Sequence, residues 1–145
     1  MPRDLTQARA RVFRIVHRDN LCWTLRNGLH CASAGALDPG FVSIGNADLI
    51  ARRRTRRLPH PFEGTLSDYV PFYFTPFSPM MYNIKTGHHG ITQRPNEEIL
   101  ILVSSFAKLR QSGVDAIFSD RHAYLQAARF YSDPDRVDQI DWNLL

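Results

Sequence analysis

The residues able to do chemistry in this 145-residue chain fall in four short blocks. In Phe13-Arg14-Ile15-Val16-His17-Arg18-Asp19-Asn20-Leu21 a histidine closes an apolar run. Imidazole donates and accepts hydrogen bonds without needing a charge, so it suits a hydroxyl-rich ligand, and the plainer alternative is a cap on the helix that follows. Arg52, Arg53, Arg54, Arg56 and Arg57 crowd into six residues. Such a cluster draws a polyanion, although a solvated helix face accounts for it equally well. Asp68-Tyr69-Val70-Pro71-Phe72-Tyr73-Phe74, with Ser78-Pro79-Met80 behind it, offers rings on which a splayed base could stack. Strand alternation turns only half of them to one side and leaves the rest for core. In Phe118-Ser119-Asp120-Arg121-His122-Ala123 a carboxylate precedes a histidine that it could orient.

Other candidates are set aside. His88 and His89 are adjacent, and neighbours on a strand point to opposite sides with no cysteine or carboxylate set to complete a site, so no metal is expected. Glu97 and Glu98 precede an apolar run and read as solubilising flank residues. Cys22 and Cys31 are too few for a disulfide framework or a zinc site, which favours a reducing compartment. With Arg3, Asp4, Arg9 and Arg11 near its start and no 18-residue apolar run, the chain is expected to be cytoplasmic and to have no membrane partner.

These residues must be held by short elements. Val12 to Val16 reads as a strand ending at His17, and Asp19-Asn20 as the cap of a helix that Gly28 stops. Residues 29 to 46 read as a long loop around one short strand, Phe41 to Ile44. Asn46 caps a helix from Ala47 to about Arg57, and Pro59, Pro61 and Gly64 keep the chain irregular up to Asp68. Tyr69 to Phe74 favours an edge strand, with Pro71 unable to donate to a ladder. Ser78-Pro79 starts a short helix, and Gly87 to Gly90 is a loop. Ile99 to Val103 predicts a fully buried central strand, followed by a helix around Phe106 to Arg110. Ala116 to Phe118 predicts a strand, Ala123 to Phe130 a helix, and Val137 to Leu145 the start of a further element. Short strands among short helices with irregular joins indicate the α+β class in one domain, 1–145, and 43% hydrophobic content is enough for one core. No glycine-rich phosphate loop is present.

In their order and spacing the four blocks resemble the DarT family, toxins of the ADP-ribosyltransferase fold that modify thymidine in single-stranded DNA and are opposed by a macrodomain antitoxin, DarG. The resemblance runs from about Val12 to Leu145, and its most specific part is the Asp-Tyr-Val-Pro-Phe-Tyr-Phe block with Ser-Pro-Met. It implies a split mixed sheet with short flanking helices. It also implies NAD as co-substrate, with His17, Arg18 and Asp19 lining its pocket and His17 at the nicotinamide ribose. Within the arginine cluster Arg53 is the best match to the family's functional arginine, with one residue of slip leaving Arg52 or Arg54 open. A guanidinium holds its proton too tightly to be an ordinary base, so Arg53 is expected to contact NAD, polarise the thymine and stabilise the developing anion. Arg54, Tyr73 and His122 are expected at the DNA substrate.

The family's catalytic glutamate lies on a strand after an Asp-Trp segment. Here Asp141-Trp142 is present, the sequence ends at Leu145, and the fold is expected to be C-terminally incomplete without that residue. Two functions follow from the resemblance: ADP-ribose transfer from NAD to a DNA base, or an inactive NAD- or nucleic-acid-binding remnant.

Overall fold

The computed structural model describes residues 6 and 8–141. Trp142, half of the Asp-Trp landmark, lies outside the described residues, as does the end of the element expected from Val137. Two compact units emerge. One comprises residues 1–13, 72–76 and 103–145, the other residues 14–71 and 77–102.

Strand β1 (Arg11–His17) pairs with β2 (Ile99–Ser105). The pairing is antiparallel, because the amide of Phe106, just past the end of β2, donates to the carbonyl of Ala10, just before β1. At the other end His17 meets Glu98. Among the described residues the expected central strand is therefore one of two in its sheet, and it is not fully buried. Ile99 faces a core while Ile101 and Val103 are 40% and 59% exposed. A continuous apolar run hides the alternation that tertiary packing imposes.

The unit of residues 14–71 and 77–102 packs around Ile15, Ile44, Ile84, Ile91 and Ile99, with Met80 and Met81 against them. Helix α1 (Leu21–Asn27) ends at Gly28, whose φ of 83° suits a residue without a Cβ. Helix α2 (Ala47–Arg53) starts under the Asn46 side chain, which accepts from the Leu49 amide at 3.0 Å. It stops short of the expected Arg57. Pro59 favours an extended chain before it, and the Arg56 carbonyl and Leu58 amide pair instead with Leu66 and Gly64. Helix α3 (Pro79–Thr86) begins as expected, with Ser78 Oγ accepting from the Met81 amide. The strand expected at Phe41 to Ile44 does not form. Its place is taken by a side chain: Asn20 Nδ2 donates to the Val42 carbonyl and Asn20 Oδ1 accepts from the Val42 amide, each at 2.8 Å.

The other unit is built on aromatic contacts. Phe118 stacks on Tyr131 and meets Phe74 and Phe106 edge-on, within a core that includes Ala10, Val137 and Ile140. Helix α4 (Phe106–Gln111) is capped by Ser105, and strands β3 (Phe118–Ser119) and β4 (Phe130–Tyr131) pair antiparallel. The helix expected from Ala123 to Phe130 is absent. The chain there folds back so that β4 reaches β3, and the Asp120 and Arg129 backbones bond at 3.1 Å. The edge strand expected at Tyr69 to Phe74 reduces to an isolated bridge between Tyr73 and Phe13, with bonds of 2.7 and 2.8 Å. Two residues earlier Pro71 has no amide to continue a ladder, and its carbonyl accepts from Arg14.

Candidate active site

His17 is 3% exposed at the end of β1. Its Nδ1 accepts from the Asp19 amide at 3.2 Å, capping the 3-10 turn Arg18–Asn20 that leads into α1. Capping is thus part of its work. On the other side of the ring, Nε2 lies 3.3 Å from Glu98 Oε2, and Arg94 Nη1 lies 3.2 Å from the same oxygen. Glu98 was expected to be a mere solubilising flank, and the structure corrects that reading: it is the partner of the buried histidine. Hydrogen bonds from Arg94 and then His17 hold the Glu98 carboxyl below its ordinary value, against a smaller upward push from burial. Periodicity could not reveal this, because Glu98 and His17 meet only through strand pairing.

Beyond the turn the polar groups reach solvent. The side chains of Arg18 and Asp19 are 54% and 62% exposed and stand 3.6 Å apart. The turn is immobilised from behind by Asn20, itself 4% exposed, through its two bonds to Val42. Gly45 follows closely, and a Cβ there would come within 3.1 Å of Ile50 on α2. The Val42 to Asn46 segment therefore joins the histidine turn to the start of α2.

At the far end of α2, Arg53 is half-buried and its Nη2 donates to the Leu66 carbonyl at 2.9 Å, whereas Arg52 and Arg54 are exposed. Leu66 opens the 3-10 turn Leu66–Asp68, closed by a capping box in which Thr65 and Asp68 bond each other's backbone. Asp68 also accepts from Ser33 Oγ at 2.6 Å, which with the Thr65 amide keeps its carboxyl below the ordinary value. Hence the long loop 29–46 is fastened at both ends, to Asp68 through Ser33 and to Asn20 through Val42.

His17, Arg18, Asp19, Arg53 and Arg54 all belong to this unit. Tyr73 and His122 belong to the other. Tyr73 is half-buried in its bridge to Phe13, and the exposed His122 accepts from the Tyr124 amide through Nδ1 at 3.3 Å. The expectation that Asp120 orients His122 is replaced by a different arrangement. Asp120, 5% exposed, takes a two-pronged hydrogen bond from Arg121 at 3.2 and 3.1 Å and one from the Arg129 amide at 3.0 Å. Burial pushes its carboxyl up, and the bonds and charges of the two arginines outweigh that push and leave it lowered. No three-residue group of metal-binding side chains occurs among the described residues, and none of their helices is long and apolar enough to cross a membrane.

A family model described as ssDNA thymidine ADP-ribosyltransferase, DarT, matches residues 13–145. The chain belongs to the DarT family. It is 48% identical over 141 residues to the DNA ADP-ribosyl transferase of Escherichia coli O127:H6 (strain E2348/69 / EPEC), covering 97% of this chain and 65% of that protein. Thermus sp. 2.9 DarT in complex with ADP-ribosylated ssDNA matches the fold with a TM-score of 0.85 at 37% identity, over 97% of this chain and 66% of that one. The same Thermus protein in complex with NAD+ matches with a TM-score of 0.75 at 38% identity, over 92% and 63% of the two chains. The chain thus spans just under two thirds of the length of these DarT relatives, and its α+β fold is theirs.

Proposed function

We propose that this chain carries the NAD-holding and base-activating part of a mono-ADP-ribosyltransferase that acts on thymidine in single-stranded DNA. The observation that carries the reading is the His17-capped turn held from behind by the Asn20–Val42 bonds, in the loop that leads into α2, in a chain of the DarT family. One relative, Thermus sp. 2.9 DarT, has been solved both in complex with ADP-ribosylated ssDNA and in complex with NAD+, which supports both halves of the substrate pair.

The donor set suits a dinucleotide. Asp19 offers carboxylate oxygens to ribose hydroxyls, Arg18 offers a guanidinium to a pyrophosphate, and the buried His17 holds the turn that presents them. Bound there, NAD supplies an activated ribosyl carbon. Arg53, oriented by Leu66, polarises the thymine and stabilises the charge that develops as its ring nitrogen loses a proton. Overall the bond from ribose to nicotinamide breaks, a bond from ribose to the thymine ring nitrogen forms, and nicotinamide and a proton are released. Arg54 tracks the DNA phosphates, and Tyr73 and His122 contact the strand. By family membership we assign it an antagonist of the DarG macrodomain type, and a place in a toxin–antitoxin pair.

Incubation of the protein that carries this chain with NAD and a thymidine-containing oligonucleotide is expected to add the mass of one ADP-ribose, with none added when thymidine is replaced. A salt-sensitive gel shift without any product would replace transfer by simple binding.

A further inference from the structure

We infer that Glu98, braced by Arg94, is a positioning residue that fixes His17 as the tautomer protonated at Nε2 and through it sets the Arg18–Asn20 turn. The inference deepens the reading above, since it rests on that turn being the one that meets NAD. A ring nitrogen that accepts a hydrogen bond carries no proton. His17 Nδ1 accepts from the Asp19 amide at 3.2 Å, closer than the Asp19 carboxylate at 3.6 Å, so in the neutral ring the proton sits on Nε2. That proton needs an acceptor, because His17 is 3% exposed and water is excluded. Glu98 Oε2 provides it at 3.3 Å.

Arg94 completes the device. Its Nη1 lies 3.4 Å from His17 Nε2 and 3.2 Å from Glu98 Oε2. With Nε2 protonated, only the carboxylate can accept from the guanidinium, so Arg94 fixes Glu98 and Glu98 fixes the ring. Arg94 is itself anchored, its amide donating at 3.0 Å to the carbonyl of Ile84, which is fully buried. The Glu98 amide donates to the Pro95 carbonyl at 3.1 Å, which closes the short turn between the two charged residues. If the ring turned over or the proton moved to Nδ1, the Asp19 amide would lose its acceptor and the turn its cap.

The test uses the whole chain labelled with 15N-histidine, compared as wild type, Glu98→Ala and Glu98→Gln. Ring nitrogen shifts report the tautomer of His17, and calorimetry with NAD reports affinity. The expected result is an Nε2-protonated His17 in the wild type and a mixed or inverted tautomer in Glu98→Ala with about tenfold weaker NAD binding. Glu98→Gln, whose amide oxygen can still accept, should restore both. A wild-type His17 protonated at Nδ1 or at both nitrogens near neutral pH overturns the inference without any variant. So does a Glu98→Ala chain that loses stability while its tautomer is unchanged. Absence of NAD binding by the wild type would count against the functional reading alone, because the tautomer comparison needs no NAD.

Discussion

Asn20 and Val42, 22 residues apart, exchange two hydrogen bonds of 2.8 Å, with a side-chain amide standing where a neighbouring strand's peptide would be. Val42 thereby has its backbone satisfied without a strand, and the histidine turn acquires a fixed back wall. Asn20→Ala is expected to cost about 1 to 3 kcal/mol, the range for losing buried hydrogen bonds and leaving their partners open. Asn20→Asp should be no better, since a carboxylate cannot donate to the Val42 carbonyl. Urea midpoints would check both, and an unchanged midpoint for Asn20→Ala would remove the clamp from the account.

Gly64 and Gly28 separate backbone strain from steric collision. Both have positive φ, 82° and 83°, but a Cβ at Gly64 would sit 2.6 Å from Asp68 Oδ2, whereas nothing lies within 4 Å at Gly28. Each Ala substitution should lose about 1 kcal/mol to conformation. Gly64→Ala should lose more, because Asp68 must leave Thr65 or Ser33. Thermal melts of the two variants should differ in that order.

Arg53 tests chemistry against structure. Its Nη2 donates a half-buried hydrogen bond to the Leu66 carbonyl, and losing that bond in Arg53→Ala should cost about 1 kcal/mol of stability. Transfer to DNA should fall by about a hundredfold or more if the guanidinium stabilises the anion. Lysine in its place should not restore the rate, since an ammonium lacks the planar fork. Arg54→Ala, at an exposed position, should instead weaken DNA binding for all sequences and reduce its salt slope by about one. Mass spectrometry of product and filter binding over a salt series read the two effects.

Asp120 sets an acid limit. Its carboxyl is lowered in the folded state, so its contribution to stability is present above the ordinary aspartate range and is lost as pH falls through the lower folded value. The denaturation midpoint should therefore drop on acidification below about pH 4. Asp120→Asn, which keeps an acceptor for the Arg129 amide but loses the charge facing Arg121, should start less stable at neutral pH and show a flatter acid limb. An acid limb as steep as that of the wild type would remove Asp120 from this role.

Local signals fared well where a local cause suffices. Asn46, Ser78 and Gly28 bound their helices where the sequence put them, because a cap or a residue with positive φ acts on the neighbouring three or four amides. The strand ending at His17 and the order of the DarT blocks were also legible. Composition and motif order led correctly to the α+β class and to the family.

What required tertiary structure was every relation between distant residues. Ala123 to Phe130 has helix-forming composition, yet β4 is recruited to β3 and Asp120 captures Arg129, which outweighs local preference. Glu98 looked like a solvated flank because its partner lies 81 residues away, and Asn20 looked like a helix cap because its real partner is a loop peptide. Sequence alone determined which side chains were available and where the chain could turn, since those depend on a few neighbouring bonds. Only the folded chain decided which of them are buried against one another, because desolvation and pairing act through space and take no account of separation along the backbone.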